Sequence, residues 1–280
     1  MKPKTIAIVG LGLMGGSLAA ICRKRFPKAR VIGVSRNRKA LKYAHHKRWI
    51  HQGIQRLEQG VTHADLIILC TPVGVIREYL KRIDRVAKPG ALVTDVGSVK
   101  SEIVRWVDRQ RFSRICFVGA HPMVGSHLRG ITVAQDRLFE QGYTFLTKSP
   151  KTDRQACRQI MQFWKKVSLR IVEISPEKHD RIVAFISHLP HVVAACLVLS
   201  VPKKMLGFAS TGFKETTRVA QGHPSIWLPI FQENTKSILK ALSFFETELI
   251  KFRRALRSTK PKALQRMISR GRQKRSQISL

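Results

Sequence analysis

Acidic residues are scarce in this chain of 280: 17 Asp and Glu stand against 52 Lys and Arg, a formal charge of +35. A surface so poor in carboxylates attracts anions, which brings nucleic acid as well as phosphorylated small molecules into consideration. The imbalance is sharpest at the end, where Lys251 to Leu280 holds eleven Lys or Arg and no acid. Such a tail binds polyanions non-specifically or stays solvated and unstructured. No recognition module accompanies it: paired zinc-finger ligands and an RRM-type aromatic signature are both missing.

Cysteine is equally thin. Cys22, Cys70, Cys116, Cys157 and Cys196 are odd in number, far apart, and include no Cys-x-x-Cys pair. A disulfide framework and a zinc knuckle are therefore disfavoured, and a reducing cytoplasm is the expected compartment. Long apolar runs are missing too, with one exception. Ile182 to Val201 carries no charged residue and meets the minimum length of a membrane span. It also contains His188, Pro190, His191 and two serines, and it stands alone. A helix buried in protein, between two subunits, is the cheaper reading. The opening MKPKTIAIVG runs from a short apolar stretch straight into glycines, and it reads as the first strand of a domain and not as a signal peptide.

What is present is an apolar fraction of 44%, enough for one large or two ordinary domains. TIAIVG, ARVIGVS, ADLIILCTP, GALVTDVGS, RICFVGAHP and GYTFLTKSP are short apolar runs that end in turn formers. Stretches with helical spacing, such as 17–26, 38–48 and 76–86, separate them. This βαβ series predicts an α/β fold: a Rossmann-type, mostly parallel sheet covered on both faces. Residues 153–167 add a helix and LRIVEIS a last strand. After Ser175 only helical blocks follow, over 176–199, 205–219 and 226–258. The expected division is a dinucleotide-binding domain over 1–172, an all-helical domain over 173–258, and the basic tail over 259–280.

IAIVGLGLMGGSLA sets Gly10, Gly12 and Gly15 in the order G-x-G-x-x-G, directly after a strand and opening a helix. Gly10 allows the tight turn, Gly12 lets the backbone approach a pyrophosphate, and Gly15 permits close helix–sheet packing. Leu13 and Met14 lie on the same turn, and Thr71 and Pro72 end a later strand on the cofactor side. Where an acid would bind a free ribose 2′-hydroxyl, the sequence has Ser35 and Arg36, with Arg38 close behind. That set favours NADP over NAD, because a hydroxyl and a guanidinium fork can hold a 2′-phosphate. The bland alternative is a helix cap beside solvated arginines.

Three strand ends face such a cofactor: Cys70-Thr71-Pro72, Asp95 to Ser98, and His121-Pro122. An imidazole at this edge can take a proton as a substrate hydroxyl becomes a carbonyl. Ser98 can hydrogen-bond close by, and Lys100 adds positive charge. The helical half supplies His179-Asp180, His188 and His191. His188 and His191 nearly share a face, but no third ligand has helical register with them, so no metal is implied. Lys214 and Arg218 lie on a turn-to-helix segment, where a planar guanidinium would suit a substrate carboxylate.

VGLGLMGGSLA, LCTPV, TDVGSVK, GAHPMVGS, the His-Asp at 179–180, ISHLPH and STGFKETTRVA together resemble the TyrA-type prephenate and arogenate dehydrogenases of tyrosine biosynthesis. The resemblance runs from about residue 5 to 220. It implies oxidative decarboxylation of a small anionic cyclohexadienyl substrate, with hydride passed to NADP or NAD. It also implies a homodimer interlocked through the helical domain. By the family pattern His121 takes the substrate hydroxyl proton, Ser98 assists, His191 lines the substrate pocket, Arg218 pairs with a substrate carboxylate, and His179 sits at the pocket edge. Lys214 belongs to the same segment as Arg218.

Two departures bear on the substrate. Many prephenate-using members carry an acid two residues after the glycine that here is Gly125; this chain has Ser126 and His127, both expected in the pocket. The Ser35-Arg36 pair resembles the NADP-using, often arogenate-using, branch. Losing an acid does not favour arogenate's ammonium, so both substrates stay open. Two other readings remain at this point. Another NAD(P)-dependent hydroxyacid dehydrogenase shares the glycine turn but normally wants a lysine in its central helix. A polyanion-binding protein on the same scaffold would show steep salt dependence and no turnover.

Overall fold

A computed structural model describes residues 2–124, 128–140, 142–258 and 261–278. Ser126 and His127 lie outside the described residues. The first half alternates strand and helix: β1 (Thr5–Val9), α1 (Leu13–Arg25), β2 (Arg30–Val34), α2 (Arg38–His46), β3 (Gln52–Ile54), α3 (Leu57–Val61), β4 (Leu66–Leu69), α4 (Ile76–Val86), β5 (Ala91–Asp95) and α5 (Ser101–Val107). β6 (Ile115–Pro122), β7 (Tyr143–Thr147), α6 (Arg154–Val167) and β8 (Arg170–Ile174) complete an eight-stranded sheet in the order β3-β2-β1-β4-β5-β6-β7-β8. Among the described residues, only the β6–β7 pairing is antiparallel.

The apolar runs are continuous because both sheet faces are covered. Ile6 and Ile8 of β1, with Leu66 and Ile68 of β4, pack toward α1 and α6, where Phe26 and Phe163 stack at 5.4 Å. Ala7, Val9, Ile67 and Leu69 point the other way, onto Ile76, Leu80 and Ile83 of α4. The period of two along each strand thus feeds two separate cores. Caps follow the sequence as well: Asn37, Asp153 and Ser175 accept from the N–H of Ala40, Ala156 and Lys178 at the starts of α2, α6 and the first helix beyond the sheet. β3 escapes the sequence pattern, since Gln-Gly-Ile offers one apolar side chain; it forms as a short edge strand on Ile32 to Val34.

Beyond Ser175 the chain is helical. α7 (Pro176–Val183) passes through one π-helical turn (Ala184–His188) into α8 (Leu189–Ser200), followed by α9 (Thr211–Thr217) and α10 (Pro224–Glu233). α11 (Thr235–Arg257) and α12 (Pro261–Ser276) end the chain. The block expected over 226–258 is broken at Asn234, whose side chain turns inward to hydrogen-bond with α7 and its π turn. The basic segment that could have stayed unstructured is helical over Pro261–Ser276. Met1–Asn234 form one compact unit and Thr235–Leu280 a second, in which α11 packs on α12.

The glycine turn shows how tightly β1 meets α1. Gly10 has φ +96°, and a Cβ there would lie 2.6 Å from the Cys70 carbonyl oxygen. At Gly15 a Cβ would lie 1.8 Å from the Gly10 carbonyl oxygen, with backbone on both sides of the clash. Gly15→Ala is expected to lower the unfolding free energy by roughly 3 kcal/mol, the upper range of overpacking costs. A urea midpoint matching the parent protein would show that the turn can relax.

Candidate functional site

β1, β2 and β4 all end at one edge of the sheet, and a cavity of about 730 Å³ opens there. Its wall includes Gly10, Ser35, Arg36, Arg56, Thr71 and Pro72. Three features fit a dinucleotide. A Cβ on Gly12 would meet no atom within 4 Å, so backbone N–H groups at the start of α1 are open to a phosphate. The Thr71 hydroxyl is buried with no hydrogen-bond partner among the described residues. The cavity's carboxylates are engaged: Arg82 Nε donates to Glu58 at 2.8 Å and a terminal nitrogen donates to Glu78 at 3.0 Å. Arg38 departs from expectation. Its Nε donates to Gln55 at 2.9 Å, and it does not line the cavity. Leu13 and Met14 lie in the first turn of α1, outside the cavity wall.

His121 sits at the end of β6 and is 8% exposed. Its Nδ1 lies 2.9 Å from His179 Nε2, and His179 Nδ1 lies 2.7 Å from Asp180 Oδ1. Proton positions in this chain follow from its last member. Asp180 accepts the backbone N–H of Lys100 at 2.8 Å and of Ser101 at 2.9 Å. Although burial opposes ionisation, His179 and these two donors hold its carboxyl below the usual carboxylate range. A carboxylate only accepts, so His179 donates from Nδ1 and, being neutral, accepts at Nε2. His121 must then donate from Nδ1. Its Nε2 is left with a lone pair, which is what a base requires.

The charge state agrees. Burial, then the neighbouring His179, Lys100 and His188, hold His121 well below the ordinary imidazole value. Burial also lowers His179, against the pull of Asp180. The cation nearby is itself neutralised: Lys100 and Asp95 are fully buried and ion-paired. Asp95 further accepts the N–H of Gly97 at 2.9 Å and of Ala120 at 3.0 Å. It thus fastens the loop carrying Ser98, which is half-buried, to the strand carrying His121.

The helical half closes around this edge. His188 is fully buried; its Nδ1 lies 3.2 Å from Asn234 Nδ2, and its Nε2 has no partner among the described residues. His191, one turn further on, lies against the Trp227 ring. Burial pushes both His188 and His191 down to about 4. The turn at Arg218–Gln221 packs on α8, bringing Arg218 to the helix that carries His191. Lys214 is exposed on α9.

Sequence reasoning placed His121, Ser98, His179 and His191 at one end of the fold, and the structure gathers their elements there. It missed Asp180 as the anchor, Asn234, Trp227 and Arg56. Asp180 was visible only as half of a His-Asp pair. Asn234 and Trp227 act across more than 35 residues, for which spacing gives no signal.

Compared with known proteins, the chain matches the family described as "Prephenate dehydrogenase, nucleotide-binding domain" over residues 18–173. It matches "Prephenate dehydrogenase, dimerization domain" over 175–270. It is 36% identical over 259 residues to a prephenate dehydrogenase of Bacillus subtilis, covering 89% of this chain and 69% of that protein. With a cyclohexadienyl dehydrogenase of Zymomonas mobilis it shares 31% over 265 residues, 91% of this chain and 89% of that protein. Among solved structures, a prephenate dehydrogenase of Aquifex aeolicus in complex with hydroxyphenyl propionate and NAD+ superposes with a TM-score of 0.91 at 30% identity, covering 99% and 98% of the two chains. An arogenate dehydrogenase of Synechocystis gives 0.82 at 30%, covering 98% and 99%.

The buried neutral histidines have a consequence for stability. The unfolded chain protonates them near pH 6.5, whereas folded His188 resists protonation down to about 4. Between those values the unfolded state binds more protons, so stability falls as pH falls from about 6.5 toward 4. Thermal melts over that range should show the decline, and His188→Gln should flatten it. A decline of undiminished slope in that variant would assign the effect to other groups.

Proposed function

Because the chain belongs to the prephenate dehydrogenase family, as an NAD(P)-dependent enzyme of the prephenate/arogenate group, we propose that His121 is its proton-transfer residue and that His179 and Asp180 set its tautomer. The His121–His179–Asp180 chain is the observation that carries this reading. The glycine turn at Gly10 and Gly12, with Thr71, would hold NAD(P), which would supply the acceptor for a hydride from the substrate carbon that bears the hydroxyl. His121 Nε2 takes the hydroxyl proton as that C–H bond breaks with its electron pair. The bond to the ring carboxylate then breaks, CO₂ leaves, and its electrons complete the aromatic ring. His121 returns its proton to the ring oxygen, so the reaction releases none.

The lowered affinity of His121 for protons keeps it available as a base at neutral pH. Ser98, which follows the Gly97 that the Asp95 carboxylate fastens to the same strand end, hydrogen-bonds the reacting hydroxyl in this reading. His191 and Arg218 hold the substrate's side-chain carboxylate on the helical side, with Lys214 adding charge at the edge. On the cofactor side Ser35 and Arg36 favour NADP, since no free acid stands there to repel a 2′-phosphate.

The helix from Pro176 to Ser200 is long and apolar enough to cross a membrane, with 22% of its apolar window buried inside the chain. Its first half, however, delivers His179 and Asp180 to the site, which fixes it within the protein. Phe185, Ile186, Leu199 and Phe208 stay exposed, at 37%, 54%, 83% and 88%. A second copy of the chain covers them in a homodimer through this region. Burying Leu199 and Phe208, the most exposed of the four, contributes about 1.5–3 kcal/mol each.

His121→Asn is expected to lower kcat by two or more orders of magnitude with modest change in KM. Asp180→Asn should lower kcat by a factor on the order of 10²–10⁴, because an amide can force the wrong imidazole tautomer. Absorbance at 340 nm with prephenate or arogenate, each against NAD or NADP, checks substrate and cofactor together. Near-normal kcat in His121→Asn removes the histidine from this role, and a preference for NAD removes the 2′-phosphate reading.

A further inference from the structure

The cofactor cavity holds a second guanidinium that residue spacing does not single out. Arg56 lies between β3 and α3 and lines the same cavity as Ser35 and Arg36. Among the described residues no hydrogen bond or ion pair engages the side chain of Arg36 or Arg56, although both are exposed in a region that holds carboxylates. The two acids of the wall, Glu58 and Glu78, are both taken by Arg82. Arg38, the first residue of α2 and two positions after Arg36, is taken by Gln55. Arg36 and Arg56 are thus cavity-lining guanidinium groups with no hydrogen bond or ion pair among the described residues, although Arg56 stands near enough to Glu58 to help hold that carboxyl low.

Gln55 fixes where that pair stands. Its Oε1 accepts from Arg38 Nε at 2.9 Å and its Nε2 donates to the Arg36 carbonyl oxygen at 3.3 Å. The turn after β2 is therefore bound to the residue immediately before Arg56. The Asn37 N–H, 3.2 Å from the Ser35 hydroxyl, tightens the same turn. We infer that Arg56 is a second determinant of NADP selectivity, closing with Arg36 on the 2′-phosphate of the adenosine ribose across the Gln55 bridge. This rests on the NADP reading given above.

The chemistry supports two cations over one. A 2′-phosphate carries close to two negative charges and three acceptor oxygens, more than a single fork satisfies. Arg36 and Arg56 line one cavity, so a ligand that brings a 2′-phosphate there gains from answering both charges, a gain that NAD lacks.

Calorimetric titration with adenosine 2′,5′-bisphosphate and with 5′-AMP, which differ only by the 2′-phosphate, isolates this contact from turnover. The parent protein should prefer the bisphosphate. Arg56→Gln is expected to weaken bisphosphate binding roughly tenfold and to leave 5′-AMP within about twofold, with Arg36→Gln doing the same. Retained 5′-AMP binding also reports that each variant is folded. If the preference disappears in Arg36→Gln and survives in Arg56→Gln, the role of Arg56 is overturned while the NADP reading stands. Equal weakening of both ligands by Arg56→Gln assigns it to the adenine and likewise overturns the proposal. No preference in the parent protein overturns both.

Discussion

One buried carboxylate organises the chemical end of this molecule. Asp180 leaves the helical segment and accepts two backbone N–H groups at the start of α5, donors that have no partner inside their own helix. The same carboxylate orients His179, and through it His121. Its main-chain oxygen is in turn bound by Asn234 at 2.8 Å. A helix start, the hydrogen-bonded His121–His179 pair and the closure of α10 thus share a single residue. Its ionisation is the premise of every tautomer assigned here, since a protonated Asp180 could donate to His179 and reverse the sequence of donors.

The fold was legible because each βα unit writes its own pattern: an apolar run buried on both faces, a turn former, then helical spacing. The glycine turn was legible for a sharper reason, because two of its positions tolerate no Cβ at all. What escaped notice shares one property. β3 is an edge strand whose order comes from pairing with β2 rather than from its own residues. Asn234 ends α10 with its amide buried, yet in sequence an Asn within a helical block looks like a solvated residue. Arg56 is one of 52 cations, and its significance depends on which carboxylates its neighbours have already claimed. The basic segment after residue 260 was underestimated for the opposite reason. Charge suggested solvation, but Leu264, Met267 and Ile268 recur at helical spacing within Pro261–Ser276.

The site carries its charges in two different states, and the difference tracks the two tasks. Among the described residues, the full charges nearest His121 are buried and answered: Lys100 by Asp95, Asp180 by His179 and two backbone donors. An unpaired cation there would push His121 further from protonation and a lone anion would pull it the other way, so pairing keeps its proton affinity a property of geometry. At the proposed adenosine end Arg36 and Arg56 are exposed and carry no hydrogen bond or ion pair among the described residues, which costs little in water.

That division also accounts for how a chain of charge +35 can house a buried imidazole whose proton affinity is held low. Exposed cations act over roughly 8–10 Å before salt screens them, and they raise the local concentration of anionic substrate and cofactor. The buried network answers to contacts of 2.7–2.9 Å, where the partner decides and the distant surface does not. A surface this basic can therefore gather anions without deciding where the proton sits. The balance would fail if one of the buried partners were lost, because an unanswered charge beside His121 acts through protein and not through water. Anion capture thus tolerates substitution one residue at a time, whereas the proposed proton transfer at His121 would depend on Asp180, Asp95 and Lys100 as a set.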